Sequence, residues 1–310
     1  MTSERPKSEP NMGLEIAALL FVGSLWGGQF GLNKIQLETI PPFTSAALRL
    51  AVAAAFLWII VAIRRDTVPL DARRWRDFVI QGLLTSGGPG VMVLWGQQYI
   101  ASALAAILNS TTPIFATLVT YLVTRHERIG SQKLAGLAVG LGGVVLVVGI
   151  DALKGVDKGL IGQIVVMVSS LGYGAAAVFG RRFTGISPVV VAAAANTGSC
   201  VVMSVVALIV EKPLSLEPST RSLIAMVVAG ILCNGIAVIL YYRLIGTLGS
   251  IGASSLGYLK AAFGVLVGCF LLGEPLTVAI MAGLAAVMVG VAAINEQLPW
   301  PSSRHVEKRA

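Results

Sequence analysis

Two cationic side chains fall inside strongly apolar segments of the chain. Lys260 lies about ten residues into the segment 250–272, and Arg49 lies about two turns into the segment 41–63. If these segments cross a bilayer, a cation near mid-depth costs at least ~2.5 to 3.5 kcal/mol on insertion scales, so it has to face a cavity or a partner. Lys260 then either attracts the carboxylate of a solute or satisfies carbonyl groups that Pro113 frees in a neighbouring helix. For Arg49, the structural alternative is a side chain that reaches the interface or bonds loop carbonyls.

Amide, hydroxyl and aromatic side chains recur on single faces of the apolar segments, as they do in the lining of a pathway. In the first segment, positions i, i+3, i+4 and i+7 of one helical face hold Trp26, Gln29, Phe30 and Asn33. The candidate substrate-binding residues are Lys260, Tyr258, Trp26, Gln29, Asn33, Asn109, Thr112, Trp95, Gln98, Tyr173, Asn234 and Tyr241. Polar groups in a bilayer prefer the interior of a helix bundle. The alternative is that these residues bond between helices or form an aromatic belt, especially Trp95 and Tyr99 near the membrane surface.

Residues that could carry acid–base or metal chemistry are missing from the middle of the apolar segments. All 15 acidic residues lie in tails, loops or segment edges, and His126 and His305 lie outside the segments. Proton pumps generally relay protons through an Asp, Glu or His inside the membrane, so coupling through a buried carboxylate is not expected. The spacing of Cys200, Cys233 and Cys269 fits neither a metal site nor a disulfide framework. No metal, cofactor or enzymatic activity is therefore expected.

The composition requires a membrane environment for most of the chain. The 310 residues are 55% hydrophobic and 12% charged, where about 25% charged is usual for a soluble protein, and the mean hydropathy is +0.82. A hydrocarbon core of ~30 Å needs roughly 20 apolar residues per helix. The segments of this kind are 14–33, 41–63, 77–98, 102–123, 132–150, 159–180, 188–210, 222–243, 250–272 and 277–295. They lack the alternation of barrel strands, so the sequence predicts an all-α integral membrane protein with ten transmembrane helices.

The distribution of Lys and Arg predicts how these helices are oriented. Of the 23 Lys and Arg residues, Arg49 and Lys260 lie within segments, 5 lie in connections on one side, and the other 16 lie on the side of the tails 1–13 and 296–310. By the positive-inside rule, both tails are cytoplasmic. The formal charge of +8 then reflects orientation and contact with anionic lipid, and it does not indicate nucleic-acid binding.

The chain also repeats itself. The stretch from Gly82 to Val144 recurs as the stretch from Gly230 to Val291. This divides the protein into the halves 14–150 and 156–295, with five helices each. Because five is an odd number, the second half is expected to be inverted relative to the first, and inverted repeats place a transport pathway at their interface.

Three motifs within these halves resemble a known family. They are Leu25-Trp26-Gly27 followed by Pro42 and Arg49, Ser102 to Ile107 followed by Pro113 and Glu127, and Tyr258-Leu259 followed by Leu272-Gly273-Glu274. In this order they resemble the drug/metabolite transporter superfamily, specifically its ten-helix members with two EamA domains. The resemblance implies two inverted five-helix EamA repeats in a bacterial inner membrane and export of amino acids or other small metabolites. In this chain Ala261 aligns with Pro113, so the usual proline is absent from the ninth helix.

A second group of residues is expected to shape or gate the bundle. Its members are Arg49, Pro113, Pro89, Gly88, Glu127 and Glu274. Gly87-Gly88-Pro89-Gly90 removes a backbone donor and stiffness together, which predicts a hinge or a static bend in the third helix. Glu127 and Glu274 precede Ser131 and Thr277, which are expected to be N-caps of the following helices.

The expected function is export of small metabolites, foremost amino acids or related carboxylate-bearing zwitterions, without evident proton coupling. The alternatives are efflux of hydrophobic drugs and a role as a non-transporting receptor or assembly subunit. A buried cation favours a carboxylate and repels lipophilic cations. The expected partners are the small-molecule substrate and membrane lipid, and the protein is expected to be a monomer or homodimer.

Overall fold

The structure is a computed structural model that describes residues 12–124, 131–152, 157–254 and 256–295. All the regular structure in these ranges is helical. The helices are α1 (Met12–Gln36), α2 (Pro42–Arg64), α3 (Ala72–Gln97), α4 (102–124), α5 (Ser131–Ala152), α6 (Lys158–Phe179), α7 (Pro188–Val210), α8 (220–254), α9 (Leu256–Leu272) and α10 (Val278–Ile294). Seven of them are long and apolar enough to cross a membrane, and α5, α9 and α10 are shorter apolar helices. The predicted all-α membrane fold is confirmed.

Helix boundaries follow from local capping chemistry. Pro42 and Pro188 stand at the first positions of α2 and α7, where the missing N–H costs nothing. Four other helices begin after a side chain that accepts a bond from the first turn, namely Asp71, Asp157, Ser219 and Thr277. The prediction for Thr277 is confirmed. The prediction for Ser131 stays untested, because the residues before it lie outside the described ranges.

Three helices are interrupted internally. In α3, a π-helical turn over Leu83–Gly87 precedes Gly88, so the predicted irregularity is present and the helix continues beyond it. In α8, an unpredicted π-helical segment covers Ala229–Ile236. The α4 helix breaks between the segments Ser102–Asn109 and Thr112–Thr124, next to Pro113. The α9 helix, which has Ala261 in the corresponding place, runs without a break.

One predicted boundary is wrong. The sequence places a connection between residue 243 and a ninth helix that begins at residue 250, but the residues of that connection are helical and belong to the segment Ala237–Ser254. Helix is described again from Leu256, and residue 255 between the two segments lies outside the described residues. No proline interrupts residues 244–254, and continued helix satisfies their backbone groups internally.

The helices of the two halves pack against each other in matched pairs. The principal pairs are α5 with α10, α2 with α7, α1 with α9, α4 with α6 and α4 with α9. The third helix of each half packs on the first two helices of the other half, α3 on α6 and α7 and α8 on α1 and α2. If each helix is replaced by its counterpart in the other half, α1 by α6 and so on, the same set of pairs results. Glycines allow the close approach: a Cβ on Gly27 of α1 would lie 2.8 Å from Gly264 N of α9, and one on Gly174 of α6 would lie 2.7 Å from Ala116 N of α4.

The two ends of the bundle carry different polar contacts. Glu15, in the first turn of α1, is 1% exposed and accepts bonds from Arg243 Nη2 at 2.7 Å and Thr247 Oγ1 at 2.9 Å. The α1 and α9 helices run parallel, because Gly23, Gly27 and Gly31 meet successively later α9 residues. Glu274, just after α9, therefore lies at the opposite end. We call these the Glu15 end and the Glu274 end.

Candidate functional site

A cavity of about 530 Å³ lies between the two halves. This volume is in the range of small-molecule sites. Among the residues that the structure describes, its lining comes from eight helices, α1 to α4 and α6 to α9, and includes none from α5 or α10. The lining includes nine of the twelve predicted substrate-binding residues, which are Trp26, Gln29, Asn33, Asn109, Thr112, Tyr173, Asn234, Tyr241 and Lys260.

The cavity is cationic. Lys260 and Arg49 are the charged residues in its described lining, and no Asp or Glu is among the lining residues. Lys260 Nζ donates to Asn109 Oδ1 at 2.7 Å, and Asn109 Nδ2 donates in turn to Ser169 Oγ at 3.2 Å. The ammonium has three donors, and the amide fixes its position in the cavity wall.

Hydroxyl groups, and not Lys260, satisfy the carbonyls at the break in α4. Pro113 cannot donate to Asn109 O. That oxygen accepts bonds from Thr112 Oγ1 at 2.7 Å and Ser170 Oγ at 3.4 Å. Lys260 bonds the Asn109 side chain instead. The structural alternative for Lys260, repair of the carbonyls freed by Pro113, therefore has no support in these contacts.

Arg49 is the second cation and lies deeper in the protein. Its side chain is 2% exposed, so it does not reach the interface. Nη1 donates to Asn33 Oδ1 at 2.9 Å, and Nε is buried without a hydrogen-bond partner. A Cβ on Gly90 would lie 3.3 Å from Nη2, so the glycine leaves room for the guanidinium beside α3.

A chain of hydrogen bonds continues from Arg49 toward the Glu274 end. Asn33 Nδ2 donates to Gln97 Oε1 at 2.8 Å, and Gln97 Nε2 donates to Phe30 O at 2.9 Å and to Ser102 Oγ at 3.3 Å. These bonds join α1, α2, α3 and α4 in one layer. Toward the Glu15 end, by contrast, the cavity lining continues to Gln81, Gly180 and Ile245.

Glu274 holds the start of α4 in this layer. Its Oε1 accepts from Ser102 N at 2.6 Å and its Oε2 accepts from Ala103 N at 2.8 Å. A carboxylate at a helix N-terminus satisfies free N–H groups and the positive end of the helix dipole. Glu274 thus fastens the connection after α9 to α4. Its predicted counterpart Glu127 lies outside the described residues.

Aromatic rings form the wall toward α8. The rings of Trp26 and Tyr241 have centroids 5.2 Å apart, and Trp26 Nε1 donates to Cys233 O at 3.0 Å. Gln29 Nε2 lies 3.5 Å from Asn234 Oδ1. Both α8 partners belong to its π-helical segment, so this irregular turn positions the wall.

The other three predicted residues lie away from the cavity. Tyr258 OH accepts from Asn295 Nδ2 at 3.4 Å, beyond the end of α10. The Trp95 and Tyr99 rings contact each other, and Gln98 is exposed. Its neighbour Gln97, which is fully buried, is the residue that joins the hydrogen-bonded layer.

The sequence interpretation did not identify several residues that line the cavity. They include Gln81, Thr85 and Ser86 on α3, Asn196 on α7 and Tyr242 on α8. Gln81 and Thr85 have the i, i+4 spacing of one helical face, and this spacing could have identified them. Of the expected hinge residues, Gly88 follows the π turn, and Pro89 packs against Gly172 of α6.

Comparison with known proteins places the chain in a family. A model of the EamA-like transporter family matches residues 13–149 and 160–296. The chain is 24% identical to the uncharacterized transporter YoaV of Bacillus subtilis over 274 residues, which cover 88% of this chain and 94% of YoaV. It is 26% identical to the uncharacterized inner membrane transporter YedA of Escherichia coli over 262 residues, which cover 84% of this chain and 83% of YedA.

A solved structure shares the fold. The crystal structure of a protein with 19% sequence identity matches with a TM-score of 0.66 and covers 94% of this chain and 99% of its own. Because the family model matches both halves, the chain belongs to the EamA-like transporter family and is a membrane transporter.

Proposed function

We propose that the protein exports small metabolites that carry a carboxylate, foremost amino acids or related zwitterions, across a bacterial inner membrane. The observation that carries this proposal is the charge of the cavity, whose described lining holds Lys260 and Arg49 and no acidic residue. Amide and hydroxyl groups supply acceptors for an ammonium group elsewhere in the same cavity.

Simple electrostatics separates this substrate class from cationic drugs. Two unit charges 4 Å apart interact by about 4 kcal/mol at an effective dielectric constant of 20. A carboxylate at this distance from Lys260 is attracted by about this energy, and a lipophilic cation is repelled by the same amount. The aromatic wall of Trp26 and Tyr241 accommodates an apolar substituent of either solute, so the charge decides between them.

The proposed mechanism is alternating access at the interface of two inverted repeats. Two observations support this: the cavity lining extends toward the Glu15 end, and hydrogen bonds from Arg49 to Ser102 join four helices toward the Glu274 end. We take this layer as the closed gate. Because helix pairs correspond on exchange of the halves, two arrangements related by a pseudo-two-fold axis in the membrane plane are expected to have similar energy. With the predicted cytoplasmic tails, the described state faces the cytoplasm, and release follows when the Glu274 end opens.

The driving force in this proposal is the substrate gradient. A proton relay would need a titratable carboxylate or imidazole on the pathway. Two carboxylates within the described helices are buried, Glu15 and Asp77. They are paired with Arg243 and Arg76, and neither lines the cavity.

Counterflow into proteoliposomes tests this function. Vesicles are loaded with an unlabelled solute, and the uptake of the labelled solute is measured for a panel of amino acids, organic acids and cationic dyes. The proposal expects saturable exchange of a carboxylate-bearing solute. Exchange restricted to cationic or uncharged hydrophobic compounds overturns it.

A further inference from the structure

We infer that Arg49 is a second acid-binding group of the cavity and that the preferred solute carries two acidic groups, as a dicarboxylate or an acidic amino acid does. This inference rests on the proposed function and narrows its substrate class. Arg49 is 2% exposed, lines the cavity and has unused hydrogen-bond donors.

The guanidinium is far from satisfied by the protein. It has five N–H donors, and the hydrogen bond from Nη1 to Asn33 Oδ1 uses one of them. Nε is buried without a partner. A buried charge pays a large desolvation penalty, which is recovered only when an opposite charge and further hydrogen bonds meet it.

No carboxylate of the described chain meets Arg49. The ion pairs of the described residues join other partners, Arg243 with Glu15, Arg221 with Glu38 and Arg76 with Asp77. Planar guanidinium binds a carboxylate through two parallel bonds, and Nη2 and Nε form one edge suited to this geometry. A Cβ on Gly90 would lie 3.3 Å from Nη2, so a larger residue at this position would crowd the guanidinium.

The two cations occupy different walls of the cavity. Lys260 of α9 is held by Asn109 of α4, whereas Arg49 of α2 is held by Asn33 of α1. One carboxylate at Lys260 leaves the charge of Arg49 uncompensated. A solute with acidic groups at both ends compensates both cations, so it binds more strongly than the same solute with one acid replaced by an amide.

Competition on the wild-type protein tests this inference without a variant. Glutamate against glutamine, and succinate against succinamate, are compared as inhibitors of counterflow. We expect the diacid of each pair to bind roughly tenfold or more tightly, as for one additional charge-assisted hydrogen bond. Equal inhibition by acid and amide overturns the inference while leaving the proposed function intact. Failure of every carboxylate to exchange overturns the proposed function itself.

Two variants assign the discrimination to the residue. Arg49→Gln is expected to remove the preference for the diacid, and Arg49→Lys to retain part of it, because lysine keeps the charge without the planar fork. Lys260→Met weakens both members of each pair, which serves as the matched comparison. Melting temperatures are recorded for each variant. A preference that persists in folded Arg49→Gln protein overturns the assignment.

Discussion

Replacement of Lys260 by methionine is the most informative single perturbation of the cavity. The substitution removes the ammonium and its 2.7 Å bond to Asn109 Oδ1, and it keeps an unbranched side chain that fits irregular space. Asn109 keeps its bond to Ser169. The local packing therefore survives, and the loss is confined to charge.

The expected size of the effect comes from one charge-assisted hydrogen bond. Such a bond is worth roughly 1.5 to 3 kcal/mol, which corresponds to a loss of about 10- to 150-fold in affinity. Lys260→Arg is expected to retain part of the affinity, because the charge survives in a bulkier group. Counterflow at varied substrate concentration measures the apparent affinity, and thermal unfolding of the same purified protein measures stability.

Lys158→Met is the matched control. Lys158 is exposed at the start of α6, with its ammonium 5.8 Å from the centre of the Tyr99 ring, and it does not line the cavity. We expect unchanged affinity for this control. Unchanged affinity in a well-folded Lys260→Met protein would refute the assignment of Lys260 to the substrate.

Three further predictions concern the scaffold and the coupling. Glu274→Gln removes the carboxylate that accepts from Ser102 N and Ala103 N, so the melting temperature should fall by an amount that reflects about 1 kcal/mol. The control Glu38→Gln, at an exposed ion pair, should change the melting temperature little. Equal shifts would contradict the capping role of Glu274. Gly27→Ala places a Cβ 2.8 Å from Gly264 N and should lower the melting temperature, whereas Gly28→Ala meets nothing within 4 Å and should not; the reverse order would contradict the packing. A protonophore should leave net substrate flux down its own gradient intact, and abolition of all net flux with the substrate gradient maintained would reveal a proton site.

Long-range capping and helix rotation mark the limit of prediction from the sequence. The apolar runs and their charged borders specify ten helices because burial in a bilayer requires long apolar segments. The sequence defines the rotation of each helix about its own axis less well, since neighbouring residues point only about 100° apart. Gln97 rather than Gln98 faces the interior for this reason. Glu274 caps a helix that begins far away in sequence, a contact that depends on tertiary packing.

Many residues of the cavity lining can be predicted from the sequence, because intramembrane polar residues have few alternatives to the bundle interior. The face from Trp26 to Asn33 and the cation Lys260 line it together. The π-helical segment of α8, which places Cys233 and Asn234 against α1, has no proline and no distinctive pattern. Its contacts with α2 decide the backbone there, since a Cβ on Gly230 would lie 3.0 Å from Arg49 O.

The cavity between the two halves is proposed to be the transport path. This proposal is tested by Ser86→Cys, a lining position, in a protein whose Cys200, Cys233 and Cys269 are replaced by serine. We expect a bulky maleimide at this position to abolish counterflow and substrate to slow the labelling. Labelling of Ser131→Cys, an exposed position outside the lining, should leave counterflow unchanged. Full counterflow after complete modification at position 86 would contradict the account.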